Sequence, residues 1–269
     1  MLKKYKWGTN PYYYLAGKYG IHPTYIQSMI VGNFDNEEIL GTIDQLKHGE
    51  GRRYNIGLVR SDFQKPMKLT EGNWLPAKKI KNKKVLILAS GPKAIDYKNE
   101  LEKYIKLKKP FVIALNTTVS INAKLIDVFA ACHPLRLIAD ANLYKSLTSP
   151  LVVPISFLSH SLKKKFKNLK LLDFGIGIKE NHFEFHKSGA VVPRLYALAY
   201  ALSIATSGGA SKILLAGFDG FGTHDRRTKT IDELLALYSS FKGAKPVVAV
   251  TPTSYSVDST SIYALQNKK

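Results

Sequence analysis

Four stretches of this 269-residue chain carry residue types that can do chemistry: Ser90-Gly91-Pro92, Asn116, Ser188-Gly189 and the run from Asp219 to Arg227. Ser90-Gly91-Pro92 follows "KKVLILA". A glycine after a buried strand lets a phosphate or sugar approach the main chain, and the amides that open the next helix favour an anion. The same tripeptide also serves as a plain strand-to-helix turn, because it is neither a Walker A nor a full G-x-G-x-x-G sequence. Asn116 closes "VIALN". Its amide donates and accepts, which suits a base edge or a ribose hydroxyl, and it also suits a turn cap. Ser188-Gly189 precedes long apolar text, where the hydroxyl and free amides face an anion or the serine simply caps a helix. Asp219 ends "KILLAGFD", and the loop after it holds His224, a candidate general base, with Arg226 and Arg227 as candidate phosphate ligands. The competing reading is an ordinary charged surface loop.

The remaining reactive residues form no such pattern. His133-Pro134 is a weaker strand-end candidate, and His22, His160, His182 and His186 lack metal-binding spacing. The single cysteine, Cys132, excludes an internal disulfide framework and a cysteine-rich zinc site, and a small buried residue is its expected role.

Positioning these residues requires a frame. After Lys83, short continuous apolar runs alternate with helix-like text, and strands are expected at 85–89, 111–115, 127–131, 151–155, 169–174, 212–216 and 246–250. Continuous rather than alternating runs mean burial on both faces. Helices are expected over 93–107, 134–147, 190–206 and 230–241, the last opening with the capping-box pattern Thr230-x-x-Glu233. The result is a doubly wound, mostly parallel, Rossmann-like α/β domain over 84–269. Residues 1–50 read as a small helical extension and 51–83 as a linker or wrapping arm.

Composition bounds the function. With 45% hydrophobic and 22% charged residues the chain is globular, and no window holds the roughly 18 apolar residues of a membrane span. The basic N-terminus lacks an apolar signal core, which points to the cytoplasm. The formal charge of +20 comes mostly from scattered lysine, as in "KKIKNKK", "KLKK" and "KKKFKNLK". Without a nucleic-acid-reading motif, no specific nucleic-acid partner is expected. Solvated lysine explains the excess, and an anionic membrane surface is the charged partner it also suits, which would make the protein peripheral to the inner membrane.

The order Ala89-Ser90-Gly91-Pro92, Asn116, Ser188-Gly189, Gly217-Phe218-Asp219 and Thr251-Pro252-Thr253-Ser254-Tyr255 resembles the bacterial sialyltransferases of the Campylobacter and Pasteurella type, and their relatives with a hydroxymethylpterin pyrophosphokinase-like domain. That resemblance spans about 84 to 263. It implies a GT-A-like sialyltransferase fold and a nucleotide site, for a cytidine or other nucleotide, formed by Ser90, Gly91, Pro92, Asn116, Ser188 and Gly189. It also implies a catalytic set of His224, Asp219 and Tyr255, in which the histidine is the base for the acceptor hydroxyl and the tyrosine holds the leaving phosphate. Arg226 and Arg227 would bind phosphate, and neither a metal nor a separate cofactor is implied beyond the CMP-linked sugar itself. The expected partners are a nucleotide sugar and a glycan acceptor of surface polysaccharide or lipooligosaccharide assembly. The alternatives are a pterin-type diphosphokinase using ATP and Mg²⁺, and a non-catalytic nucleotide-binding or aldolase-accessory module. In the first 45 residues, "YKWGTNPYYYLAGKYGIHPTYI" is similar to the helical tail of hydroxymethylglutaryl-lyase-type aldolases, which implies docking of an aldolase barrel or a second copy of the chain there.

Overall fold

The structure is a computed structural model that describes residues 67–133, 137, 140–158, 160–220 and 226–267. The expected helical extension at 1–50 and the first part of the arm, 51–66, lie outside the described residues. The described chain begins with β1 (Met67–Thr70) and a one-turn helix α1 (Ala77–Ile80). It then alternates through β2 (Lys84–Leu88), α2 (Pro92–Asp96), α3 (Lys98–Lys108), β3 (Phe111–Leu115) and β4 (Val128–Ala130). Next come α4 (Ala141–Tyr144), β5 (Leu151–Val153), α5 (His160–Lys165) and β6 (Leu171–Asp173). Three further strands follow, β7 (Gly175–Ile178), β8 (Glu184–Phe185) and β9 (Gly189–Val192). Finally come α6 (Ala197–Ser207), β10 (Lys212–Ala216), α7 (Arg226–Ser240), β11 (Val247–Ala249) and α8 (Ile262–Asn267).

The seven strands expected from apolar runs make one seven-stranded sheet, ordered β11-β10-β2-β3-β4-β5-β6, and every neighbouring pair is parallel. Side chains alternate along a strand, so each continuous run divides between two cores. Val85 and Ile87 enter one with α6 and α7, while Leu86 and Leu88 enter the other with α3, α5 and α8. This is the doubly wound α/β arrangement, with helices on both faces.

A second sheet, β1-β7-β9-β8, was not foreseen in the apolar pattern. Its strands are short, and β7 reads Gly-Ile-Gly-Ile, text with poor strand propensity that tertiary packing overrides. A Cβ on Gly175 would lie 1.9 Å from the Thr70 carbonyl oxygen, so glycine is what lets β1 close against β7. Residues 67–83 run as an arm that adds β1 to this sheet and places Ile80 in the first core.

Between the two sheets lies α6, buried continuously from Leu198 to Thr206. A helix apolar on all sides belongs in such a sandwich. Two of its hydroxyls bond back to the helix: Ser203 Oγ donates to Ala199 O and Thr206 Oγ1 to Leu202 O, both at 2.8 Å. Tyr200 OH donates to Phe174 O.

The helix expected over 190–206 needs correction: β9 occupies 189–192, and the helix starts at Ala197. Pro193 cannot continue a helix begun before it, and the β-branched Val191-Val192 ahead of it pairs in the sheet. The stretch expected as one helix from 93 to 107 is two, α2 and α3, divided at Tyr97. Of the helix expected at 134–147, α4 and Leu137 are helical, and residues 134–136 and 138–139 are outside the described set. Thr230 is not the cap of α7, because that helix already runs from Arg226.

Gly175→Ala should destabilise the protein by about 1–3 kcal/mol through overpacking. Chemical denaturation checks this, and an unchanged midpoint would show that β1 does not close on β7 as described.

Candidate functional site

In the main sheet the chain starts in the middle at β2, winds outward to β6, and returns on the other side of β2 as β10. The order therefore reverses between β2 and β10. After β2 the chain passes to the face of α3, and after β10 to the face of α7, so the carboxyl ends of these two strands are the switch point of the sheet, the place where open α/β folds have their ligand crevice.

Three loops meet there. Past the strand ends the ladder continues, with Ala89 N–H donating to Ala216 O and Gly91 N–H to Gly217 O, both 2.9 Å. Pro92 then opens α2, where its fixed φ and missing N–H cost nothing. Lys93 N–H donates to Asp219 Oδ2 at 2.7 Å, a short charge-assisted bond. A Cβ on Gly91 would lie 2.3 Å from Gly217 O and 2.6 Å from Asp219 Oδ1, so the glycine admits the neighbouring loop. Gly217 has φ +75° and its Cβ would meet Ala89 O at 2.4 Å, which makes the exclusion mutual.

The third loop, Thr251 to Tyr255, braces the second. Thr251 Oγ1 accepts from Gly217 N–H at 3.0 Å, Asp219 O accepts from Ser254 N–H at 3.0 Å, and Thr253 Oγ1 donates to Phe218 O. Gly220, at φ +96°, passes so close to Ser254 that a Cβ would fall 1.7 Å from its Oγ.

One consequence revises the expected chemistry. The carboxylate of Asp219 already accepts from the amide that was the candidate phosphate donor at the start of α2. A phosphate placed there would meet a negative charge. Among the described residues Asp219 Oδ1 is buried and has no hydrogen-bond partner, and such an acceptor is costly to leave without a donor.

The other candidates fall at varied distances from this crevice. Asn116 follows β3, next to β2, in the left-handed region at φ 52°. Asparagine tolerates that conformation, so the turn alone accounts for the residue type. Tyr255 is 8% exposed and packs in the first core. Arg226 and Arg227 open α7 on the carboxyl edge, while His224 lies outside the described residues with the rest of 221–225. His133 follows β4, and Cys132 beside it is fully buried, with burial pushing its thiol pKa far up.

Ser188-Gly189 is not at a helix start. Ser188 is 7% exposed, its Oγ donates to Glu71 Oε2 at 2.7 Å, and its carbonyl accepts from Gly72 and Gly175 N–H. Gly189 opens β9 under the side chain of Leu69. The pair fastens the second sheet near the end of β6, four strand spacings or roughly 19 Å along the edge from β2. Sequence reasoning missed Glu71 there, together with His186, whose Nε2 lies 2.9 Å from Glu184 Oε1 and whose Nδ1 lies 3.9 Å from Glu71 Oε1. Glu184, His186 and Ser188 alternate as residues on one strand face do, but Glu71 is 117 residues from Ser188 and no spacing rule joins it to them. Among the described residues no group of three His, Cys, Asp or Glu side chains is placed to hold a metal ion, and no helix is long and apolar enough to cross a membrane.

No family model matches the chain, and no curated protein sequence matches it. Among solved structures it is similar to the MAf glycosyltransferase from Magnetospirillum magneticum AMB-1, with 11% identity and a TM-score of 0.44. That match covers 82% of this chain and 42% of the other, so the chain spans less than half the length of that protein.

Asp219→Ala should lower stability by roughly 1.5–3 kcal/mol through loss of the bond from Lys93 N–H, whereas Asp219→Asn, which keeps an acceptor, should lose less. Urea unfolding of the two variants measures the difference, and equal losses would count against the bond. Cys132 should resist alkylation in the native state and react only as the chain unfolds, which a timed iodoacetamide assay follows.

Proposed function

We propose that the crevice between β2 and β10 binds the nucleoside part of a nucleotide sugar, and that the protein is a glycosyltransferase. The observation that carries this reading is Asp219 Oδ1, buried beside Gly91 without a partner among the described residues, at the switch point of a parallel sheet. A ribose hydroxyl or the exocyclic amine of cytosine supplies the donor this oxygen lacks. Asn116, one strand over, offers a second polar contact to the same nucleoside. The phosphate then lies away from Asp219, toward Arg226 and Arg227 at the start of α7. Ser188 and Gly189 take no part in this arrangement, because they fasten the second sheet.

In the reaction the acceptor hydroxyl oxygen bonds to the anomeric carbon of the sugar as the bond from that carbon to the nucleotide phosphate oxygen breaks. His224 takes the hydroxyl proton, and the two arginines neutralise the departing phosphate. A CMP-linked sugar is the donor class proposed.

Thermal unfolding with CMP, CMP-sugars, ATP and GTP, with and without Mg²⁺, tests the assignment. CMP at a hundred times its Kd should stabilise the protein by about 2.7 kcal/mol. Asp219→Asn and Asn116→Ala should shrink that shift, and Ser188→Ala should leave it in place. His224→Ala should keep the shift and slow transfer by about 10²–10⁴-fold. Stabilisation by ATP only with Mg²⁺ would support a diphosphokinase instead. No response to any nucleotide would favour a non-catalytic module.

A further inference from the structure

Because the seven strands are parallel, the segments leading into them collect on the edge opposite the crevice. Lys81, Lys83 and Lys84 lead into β2, Lys109 into β3, Lys170 into β6, and Lys242 and Lys245 into β11, while Lys212 opens β10. Lys84 and Lys212 are direct register partners on adjacent parallel strands, a like-charge pairing that costs stability unless an anion offsets it. The only carboxylate in the described segments leading into these strands is Asp127, whose Oδ2 accepts from Val112 N–H at 2.7 Å and whose charge is felt by Lys83 and Lys79, one carboxylate against eight lysines. The ion pairs formed by Lys93, Lys98 and Lys229 lie elsewhere. Within this lysine edge, at the end of α3, Leu107 is 55% exposed between Lys106 and Lys108.

We propose that this amino-terminal edge docks on an anionic lipid surface. Lysine is a hydrated point charge suited to a diffuse layer of headgroups, whereas planar recognition of phosphate groups uses arginine, and none occurs in these segments. Base stacking needs exposed aromatic rings, and the exposed large side chain here is an aliphatic leucine, which suits insertion among acyl chains. Strands of five residues hold the two edges about 17 Å apart, so docking leaves the crevice open to solvent.

Flotation of the full chain with phosphatidylcholine vesicles, with and without phosphatidylglycerol, tests this. Binding should require the anionic lipid and disappear in high salt. The triple variant Lys83→Gln, Lys84→Gln, Lys212→Gln should reduce partitioning about a hundredfold, at roughly fivefold per lysine, with its melting temperature kept or raised by loss of the Lys84–Lys212 repulsion. Lys179→Gln, Lys187→Gln, Lys229→Gln, which removes equal charge outside those segments, should reduce it only a few-fold. Leu107→Ser should weaken binding without changing its salt dependence. Equal losses from the two triple variants, or equal binding to neutral vesicles, would overturn the proposal. So would binding to duplex DNA that depends on the same edge while vesicles are left unbound, which would assign the face to nucleic acid.

Discussion

The hydrogen bond from Lys93 N–H to Asp219 Oδ2 joins the two loops that leave the sheet in opposite directions. Everything else at the carboxyl edge is arranged around it. Gly91 has no side chain because Asp219 and Gly217 occupy that space, and Gly217 has none because Ala89 occupies its own. Gly220 turns through a positive φ to let Ser254 reach the Asp219 carbonyl. One carboxylate thus substitutes for the phosphate that a glycine turn before a helix would otherwise invite. With one oxygen bonded and the other buried without a partner among the described residues, the crevice suits a hydrogen-bond donor better than an anion.

The parallel sheet also sorts charge. Each βα unit brings its strand end and helix start to one edge and its helix end and next strand start to the other. Arg194, Arg226 and Arg227 stand near the starts of α6 and α7, on the carboxyl edge. Lys81, Lys83, Lys84, Lys109, Lys170, Lys212, Lys242 and Lys245 stand at the opposite edge. These lysines, scattered when read along the chain, are brought to one edge by the parallel sheet.

The main sheet was readable because its strands are buried on both faces, and runs such as Val-Leu-Ile-Leu have no polar alternation to confuse them. The second sheet was not. Gly-Ile-Gly-Ile and a two-residue β8 have no strand signal of their own, and they pair because α6 gives them a surface to cover. In the candidate site, Gly91, Asn116, Asp219 and Thr251 to Tyr255 could be chosen from their positions after buried strands. Ser188 was misplaced because a serine before apolar text looks the same whether a helix or a strand follows, and only Pro193 hinted at the strand.

The sequence alone determined the strands of the main sheet, their common direction, and the set of polar strand ends from which a site could be built. Those follow from local apolar pattern and short-range turn chemistry, which act between near neighbours in the chain. Only the tertiary structure decided which strand ends meet. Asp219 lies 126 residues from Lys93, and whether its carboxylate faces a ligand or an amide depends on β10 returning beside β2. No local propensity encodes that choice, because it arises from burying two cores on opposite faces of one sheet.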